Sequence, residues 1–213
     1  MNSLSSLLCL TSDYSILSHS EQVRILLEEG AKFIQIRTKE LSSHNLFDQV
    51  NIASKYAIEN DATLIVNDFL DIANRAKFAG LHLGSNDCTV QDAREALGHD
   101  AIIGSTVHNF EEAKIVKRLG LSNYVGLGPY RHSRTKVDLN PILTTKNIRE
   151  IVDYLYPIPV FLIGGIGLEE CGLIEEFNLA GLAVCAALSS ETQYGFYVKD
   201  FMNRLTDLNC VTI

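Results

Sequence analysis

The chain has 213 residues and is acidic, with 18 Lys and Arg residues against 26 Asp and Glu residues and a formal net charge of -8. This balance argues against a nucleic-acid-binding protein, because such proteins present a basic face to the phosphates. No apolar run approaches the roughly 20 residues that cross a bilayer, and the first residues lack the positive start and long apolar stretch of a signal peptide.

Eight short apolar runs of strand length alternate with longer segments of helical periodicity. The runs cover residues 7–12, 33–37, 63–68, 80–84, 102–107, 124–129, 160–166 and 181–188. Segments such as 21–30, 89–97, 111–120, 147–155 and 168–177 carry apolar residues three and four apart, with charges on the other side.

The runs are almost continuously hydrophobic, which is typical of strands buried on both faces of a parallel sheet. About eight strand–helix units without a change in composition predict one domain over residues 1–213, a single (β/α)8 TIM barrel with parallel strands. A doubly wound open sheet is the alternative.

The active site of such a barrel lies at the carboxyl ends of the strands, so the polar residues that follow each run are the candidates. After the second, third and fourth runs these are Gln35, Arg37, Lys39, Asn67, Asp68 and Asp87. Period-two spacing places the first three on one side of the strand end. Arg and Lys suit a polyphosphate, and two carboxylates from neighbouring strands suit Mg²⁺.

The later strand ends predict a second anion site. The sixth run ends in Gly-Leu-Gly-Pro and is followed by a cluster of cations, and the seventh and eighth runs end in Gly164-Gly165 and in Cys185-Ala186. Glycine and small residues at these positions leave backbone N–H groups pointing at a phosphate.

Each of these residues also has an ordinary structural interpretation. Arg37 and Lys39 are compatible with a solvated strand end, and Asn67, Asp68 and Asp87 with turns and helix caps. Glycines close many turns. Their common position at one end of the strands favours a functional site.

The motifs QIRTK, IVND, ANRAKFAGLHLGSND, IIGSTVHNFEEA, YVGLGP, the Thr-Lys of HSRTK and IPVFLIGGIG follow one another in a specific order. In this order and spacing the chain resembles thiamine phosphate synthases and the related thiazole tautomerases over nearly its whole length. The resemblance implies a transferase that couples 4-amino-2-methyl-5-hydroxymethylpyrimidine pyrophosphate with thiazole phosphate, giving thiamine phosphate and pyrophosphate. It also implies a Mg²⁺-assisted dissociative mechanism, in which the bond to pyrophosphate ionises and the thiazole nitrogen captures the pyrimidine cation.

The resemblance further implies roles for individual residues. The pyrophosphate ligands would be Arg37, Lys39, Asn67 and Lys136, and the Mg²⁺ ligands would be Asp68 and Asp87. Gln35 would contact the pyrimidine, and Thr106 stands where the family usually has a serine. Ser133, Thr135, Gly165, Cys185 and Ala186 would hold the thiazole phosphate.

The loop after the sixth run departs from the family pattern. It reads GPYRHSRTK, so the resemblance assigns no role to Arg131, His132 or Arg134. We treat Arg131 as a solvated loop residue and Arg134 as a candidate phosphate contact. In the eighth run Ala186 replaces a serine of the family.

Two other functions stay open at this point. A thiazole tautomerase would be an isomerase, with His132 as a candidate acid–base group. A non-catalytic paralogue would bind thiazole phosphate for regulation. Five scattered cysteines without CxxC spacing indicate a reducing compartment. We therefore expect a cytoplasmic protein that binds phosphorylated small molecules but neither nucleic acid nor membrane, and a homodimer is left open.

Overall fold

Eight parallel strands close into a barrel in the computed structural model, which describes residues 4–76, 79–132 and 141–208. The strands are Leu7–Leu10 (β1), Phe33–Ile36 (β2), Thr63–Asn67 (β3), Ala79–Leu83 (β4), Ile103–Val107 (β5), Tyr124–Leu127 (β6), Val160–Ile163 (β7) and Gly181–Val184 (β8). Each strand pairs with the next along the chain, and β8 pairs back with β1. The predicted (β/α)8 barrel is confirmed, and the open sheet is excluded because the ring closes.

Every strand begins within one residue of its apolar run, but most runs continue beyond the strand. The run at 124–129 passes the end of β6 at Leu127, and the run at 160–166 passes the end of β7 at Ile163. These apolar extensions still pack: Ile166 and Leu188 are buried among the helices that follow the strands. Hydrophobicity therefore marks burial in this region and not the last residue of the strand ladder.

Eight α-helices surround the described barrel: His19–Glu28 (α1), Ser43–Glu59 (α2), Leu70–Ala76 (α3), Val90–Leu97 (α4), Phe110–Leu119 (α5), Thr145–Leu155 (α6), Leu173–Phe177 (α7) and Val198–Asp207 (α8). Capping boxes start α1, α4 and α6 at Ser18, Thr89 and Thr144. The segment 168–177 is the exception to the helical pattern. It divides at Gly172 into a 3₁₀ helix over Leu168–Gly172 and the short α7, as a glycine inside a helix favours.

Side chains alternate between two cores along each strand. One core lies between the strands and the helices, and the other fills the barrel interior. In the interior, the rings of Phe33, Tyr124 and Phe161 meet edge to face with centroids 5.3 to 5.7 Å apart. This plug lies near the starts of β2, β6 and β7, so the polar residues above it face the carboxyl ends of the strands.

Within the described residues, no helix is both long enough and apolar enough to cross a membrane.

Candidate functional site

A cation and two carboxyl groups meet at the ends of β2, β3 and β4. Lys39 Nζ donates to Asp68 Oδ2 at 2.5 Å, and the side chain of Asp68 is hydrogen-bonded to that of Asp87. These three predicted site residues, which lie far apart in the sequence, are therefore in contact. The Lys39 side chain is 60% exposed and that of Asp68 only 15%, so the cation covers the carboxylates from the solvent side.

Local backbone geometry and hydrogen bonds set the orientation of the carboxyl groups of Asp68 and Asp87. Asp68 has a φ of 69°, in the left-handed region that few residues other than glycine adopt, and its N–H donates to the carbonyl of His82 at 2.8 Å. Asp87 turns back so that its Oδ2 accepts from the N–H of Gly84 at 2.7 Å. Such strained backbone persists where the surrounding structure holds it, often at functional sites.

The contact with Asp68 perturbs the titration of Asp87. Burial, followed by the hydrogen bond and the charge of Asp68, raises the pKa of Asp87 to about 6, although the Gly84 N–H and Lys39 act in the opposite direction. Two carboxyl groups in contact need a shared proton or a cation between them.

The donor set suits a hard divalent cation. Two carboxylates plus substrate phosphates is the usual way in which Mg²⁺ is held, and Asp68 and Asp87 supply those carboxylates. In the described part of the chain no group of three or more His, Cys, Asp or Glu side chains is placed for a metal.

The other polar residues predicted for this side of the site lie beside the cluster. Arg37 follows β2 and is half-buried. Asn67 is the last residue of β3, is buried, and pairs with His82 of β4. Arg37, Asn67 and the cluster thus occupy the ends of adjacent strands, as the sequence predicts.

A buried polar chain forms the floor of the site above the aromatic plug. The side chain of Gln35 is hydrogen-bonded to the Tyr124 hydroxyl, which lies 3.0 Å from His82 Nδ1. His82 Nε2 lies 2.9 Å from the hydroxyl of Thr106. Burial raises the pKa of Tyr124 well above its usual value, so its hydroxyl stays protonated at neutral pH. Two of the predicted substrate contacts, Gln35 and Thr106, are therefore the two ends of one hydrogen-bonded chain.

Glycine in β5 leaves room for this chain. A Cβ on Gly104 would lie 2.2 Å from Cζ of Tyr124 and 2.5 Å from Nδ1 of His82. No real Cβ tolerates such distances, so the glycine is required by the rings that it faces.

The predicted phosphate turn lies across the mouth, after β7 and β8. Gly164 and Gly165 have φ values of 108° and 62°, which only glycine adopts readily, and Gly165 is exposed. Cys185 follows β8, its thiol donates to the carbonyl of Thr11 at 3.8 Å, and the exposed Ala186 begins a 3₁₀ helix. The backbone of both turns therefore opens toward the same end of the barrel as the cation–carboxylate cluster.

Arg131 is not simply a solvated loop residue. Its Nη1 lies 2.7 Å from Oε1 of Glu170, whose side chain is only 8% exposed, and the other carboxylate oxygen of Glu170 accepts from the N–H of Gly167. The N–H of Arg131 also donates to the carbonyl of Gly164. The loop after β6 is thus anchored on the turn after β7 through both backbone and side chain. The candidate residues Ser133, Arg134, Thr135 and Lys136 lie outside the described residues.

Sequence reasoning missed the polar group that follows β1. Thr11, Asp13 and His19 all hydrogen-bond to one another or to the loop after β2. The signal was present, because the first apolar run ends in Thr-Ser-Asp and the rule that identified the other strand ends applies there too.

Comparisons with known proteins identify the family of the chain. The sequence profile described as thiamine monophosphate synthase matches residues 7–188, which is most of the chain. A thiamine-phosphate synthase of Flavobacterium psychrophilum is 34% identical over 187 residues, covering 85% of this chain and 89% of that protein. One of Bacteroides fragilis is 34% identical over 182 residues, covering 84% and 87%.

A solved structure has the same fold. Thiamine phosphate pyrophosphorylase from Pyrococcus furiosus superposes with a TM-score of 0.83 at 25% identity, covering 95% of this chain and 96% of that one. The family recognised from the motifs is confirmed. By sequence and fold together, the chain belongs to the thiamine monophosphate synthase family.

Proposed function

We propose that the protein is a thiamine-phosphate synthase, a transferase that joins the pyrimidine pyrophosphate to thiazole phosphate and releases pyrophosphate. The relatives that match most of the chain carry this name. The observation that carries the proposal is the contact of Lys39 with Asp68 and of Asp68 with Asp87 at the barrel mouth. A reaction that expels a polyanion needs positive charge at that place and no protein nucleophile.

Lys39, Arg37, Asn67 and Lys136 would bind the pyrophosphate. Lys39 supplies a mobile ammonium, Arg37 a planar guanidinium with several donors, and Asn67 a neutral amide. Asp68 and Asp87 would hold Mg²⁺, which when bound would neutralise charge on the leaving group. Positive charge that is already in place stabilises the developing pyrophosphate without reorganisation, and this is commonly the largest catalytic contribution.

The floor of the site would orient the pyrimidine. If the Tyr124 hydroxyl donates to Nδ1 of His82, then Nε2 carries the ring proton and donates to the Thr106 oxygen. The hydroxyl proton of Thr106 is then available to an acceptor on the substrate. Gln35, at the other end of the chain, offers its amide to the same ring. The aromatic plug below excludes water from the reacting carbon.

The second subsite would hold the thiazole phosphate. The backbone of Gly165 and the Cys185-Ala186 turn would bind it, together with Ser133, Arg134 and Thr135 from the loop after β6. Backbone N–H groups would still bind phosphate at Ala186, although the serine hydroxyl of the family is lost. We propose a cytoplasmic place of action, because the five cysteines are scattered along the sequence without CxxC spacing.

One assay separates this function from its alternatives. Purified protein is incubated with Mg²⁺, thiazole phosphate and the pyrimidine pyrophosphate, and thiamine phosphate and pyrophosphate are measured. Coupled formation of both supports the proposal. Interconversion of thiazole isomers alone would establish a tautomerase, and tight binding of thiazole phosphate without turnover would establish a binding paralogue.

A pair of variants tests the carboxylates. Asp87→Ala should lower Mg²⁺-dependent turnover at least about a hundredfold, because it removes one of two metal ligands. Asp153→Ala removes an exposed carboxylate of α6 and should leave turnover unchanged. Equal activity in the two variants would refute the assignment of the metal site.

A further inference from the structure

A closed set of hydrogen bonds links the end of β1 to the start of α1. The hydroxyl of Thr11 lies 2.7 Å from Nδ1 of His19, and Nε2 of the same ring lies 3.0 Å from Oδ1 of Asp13. Thr11 and His19 are buried, and the Asp13 side chain is only 13% exposed. The three side chains thus form one unit beneath the barrel mouth.

This unit holds three consecutive residues of the loop after β2. The N–H of Arg37 donates to the hydroxyl oxygen of Thr11 at 3.0 Å. The hydroxyl of Thr38 donates to Oδ1 of Asp13 at 2.5 Å, and the N–H of Lys39 donates to Oδ2 at 2.8 Å. The backbone that carries both candidate pyrophosphate cations is therefore fixed from below.

One arrangement of protons satisfies every atom of this unit. The Thr11 oxygen accepts from the N–H of Arg37 and can donate its own proton to Nδ1 of His19. In this arrangement Nε2 carries the ring proton and donates to Asp13. Each donor in this chain meets an acceptor.

Asp13 is suited to anchor the loop as a carboxylate. Burial acts to raise the pKa of Asp13, but hydrogen bonds from Thr38, Lys39 and His19 outweigh it and hold the pKa below its usual value. An ionised acceptor makes stronger hydrogen bonds than a neutral one. A loop that is already held by such hydrogen bonds loses less conformational entropy when it binds an anion.

We propose that Thr11, Asp13 and His19 are positioning residues, which set where Arg37 and Lys39 meet the pyrophosphate group of the substrate. None of the three needs to touch substrate. Lys39 has a long flexible side chain that reaches Asp68. The position of its ammonium group relative to the pyrophosphate therefore depends on where the backbone of Lys39 is held. This inference rests on the proposed function, because it assumes that the two cations bind pyrophosphate.

The test compares variants of His19 with a matched surface histidine. His19→Leu removes both ring nitrogens, His19→Gln retains a donor that can reach Asp13, and His44→Leu alters an exposed histidine of α2. Each protein is assayed with one substrate varied at a time. Binding of inorganic pyrophosphate with Mg²⁺ is measured by calorimetry.

His19→Leu is expected to raise the KM for the pyrimidine pyrophosphate, and the Kd for pyrophosphate, about tenfold. The KM for thiazole phosphate should stay within about twofold, since the turn after β8 contacts this unit through the backbone carbonyl of Thr11, which His19→Leu leaves in place. His19→Gln should recover part of the loss, and His44→Leu should match the wild type. A merely structural role would lower the amount of active enzyme, and so kcat, without separating the two KM values.

Either of two results would overturn this inference and leave the proposed function intact. The first is wild-type affinity for pyrophosphate in His19→Leu, and the second is an equal increase in the KM values of both substrates. If that variant does not fold, Asp13→Asn and His19→Gln carry the same comparison. Nitrogen-15 spectra of the imidazole give an independent test, because a proton on Nδ1 would contradict the assigned chain. If the wild type neither binds pyrophosphate nor forms thiamine phosphate, the proposed function fails and the inference fails with it.

Discussion

Replacing Asp87 by asparagine should make the metal-free protein more stable while removing its Mg²⁺-dependent activity. Burial, the contact with Asp68 and the charge of Asp68 all raise the pKa of Asp87, so at neutral pH an ionised Asp87 is repelled by its neighbour. An asparagine at position 87 keeps an oxygen for the N–H of Gly84, and its amide donates to the carboxylate of Asp68. The variant therefore keeps the local hydrogen bonds and loses the repulsion.

The magnitude follows from the pKa of Asp87, which is raised from 3.8 to about 6. The raised pKa means that the folded state holds this proton more tightly than the unfolded chain does. Its stabilising contribution is complete below pH 3.8 and is lost as the pH rises to about 6. At ~1.36 kcal/mol per pKa unit the full loss is about 3 kcal/mol. Asp87 is partly exposed, so solvent screening reduces this to about 1 kcal/mol.

Urea unfolding in EDTA at pH 7.5 and at pH 4 measures the difference between wild type and Asp87→Asn. We expect the variant to be more stable by about 1 kcal/mol, or about 2–4 °C in Tm, at the higher pH only. Added Mg²⁺ should stabilise the wild type and not the variant, because only an ion that binds the folded state raises its stability. Asp153→Asn serves as the control and should show neither effect. A variant that is less stable in EDTA, or a difference independent of pH, would refute the reasoning.

Three further predictions concern the loops and the floor of the site. Arg131→Met should lower the free energy of unfolding by about 1–2 kcal/mol, because it strips the cation from the nearly buried Glu170. As a control, Arg149→Met breaks the ion pair with Glu176, in which both side chains are about half exposed, and should lower the free energy of unfolding by less than ~0.5 kcal/mol. Equal losses of stability for the two variants in urea unfolding would contradict this prediction. Gly104→Ala should lower the free energy of unfolding by about 2 kcal/mol through overpacking against the Tyr124 ring. An unchanged Tm would contradict this, because it would mean that the buried rings move aside for the added methyl group. Tyr124→Phe should cost about 1–3 kcal/mol by leaving buried polar partners unsatisfied, and wild-type stability and turnover together would count against the hydrogen-bonded floor.

The strands and the cation–carboxylate side of the site could be predicted from local pattern. Runs buried on both faces mark parallel strands, and the residue that ends a run occupies the barrel mouth whatever its neighbours are. This is why local pattern alone predicts Lys39, Asp68 and Asp87 as site residues, although it does not predict their contact. The segment 168–177 was less well predicted as one helical stretch, because its apolar spacing is helical while Gly172 divides it.

Arg131 and His19 show the limit of such reasoning. Arg131 has no pattern that distinguishes it from a solvated cation, and its partner Glu170 lies 39 residues away. His19 lies on the first turn of a helix, where a polar residue is ordinary, yet the closed barrel brings it against Asp13 and the loop after β2.

The sequence by itself determined the strand order, the barrel, the family and the end of the barrel that carries the site, because these depend on periodicity and on residue type at the ends of the strands. Only the tertiary structure decided which carboxyl groups contact one another, which carboxylate meets which cation, and which residues hold the cationic loop in place. Those facts depend on distances between segments that are remote in the chain. Hydrogen bonds and ion pairs act over a few ångströms, and no local pattern encodes that proximity.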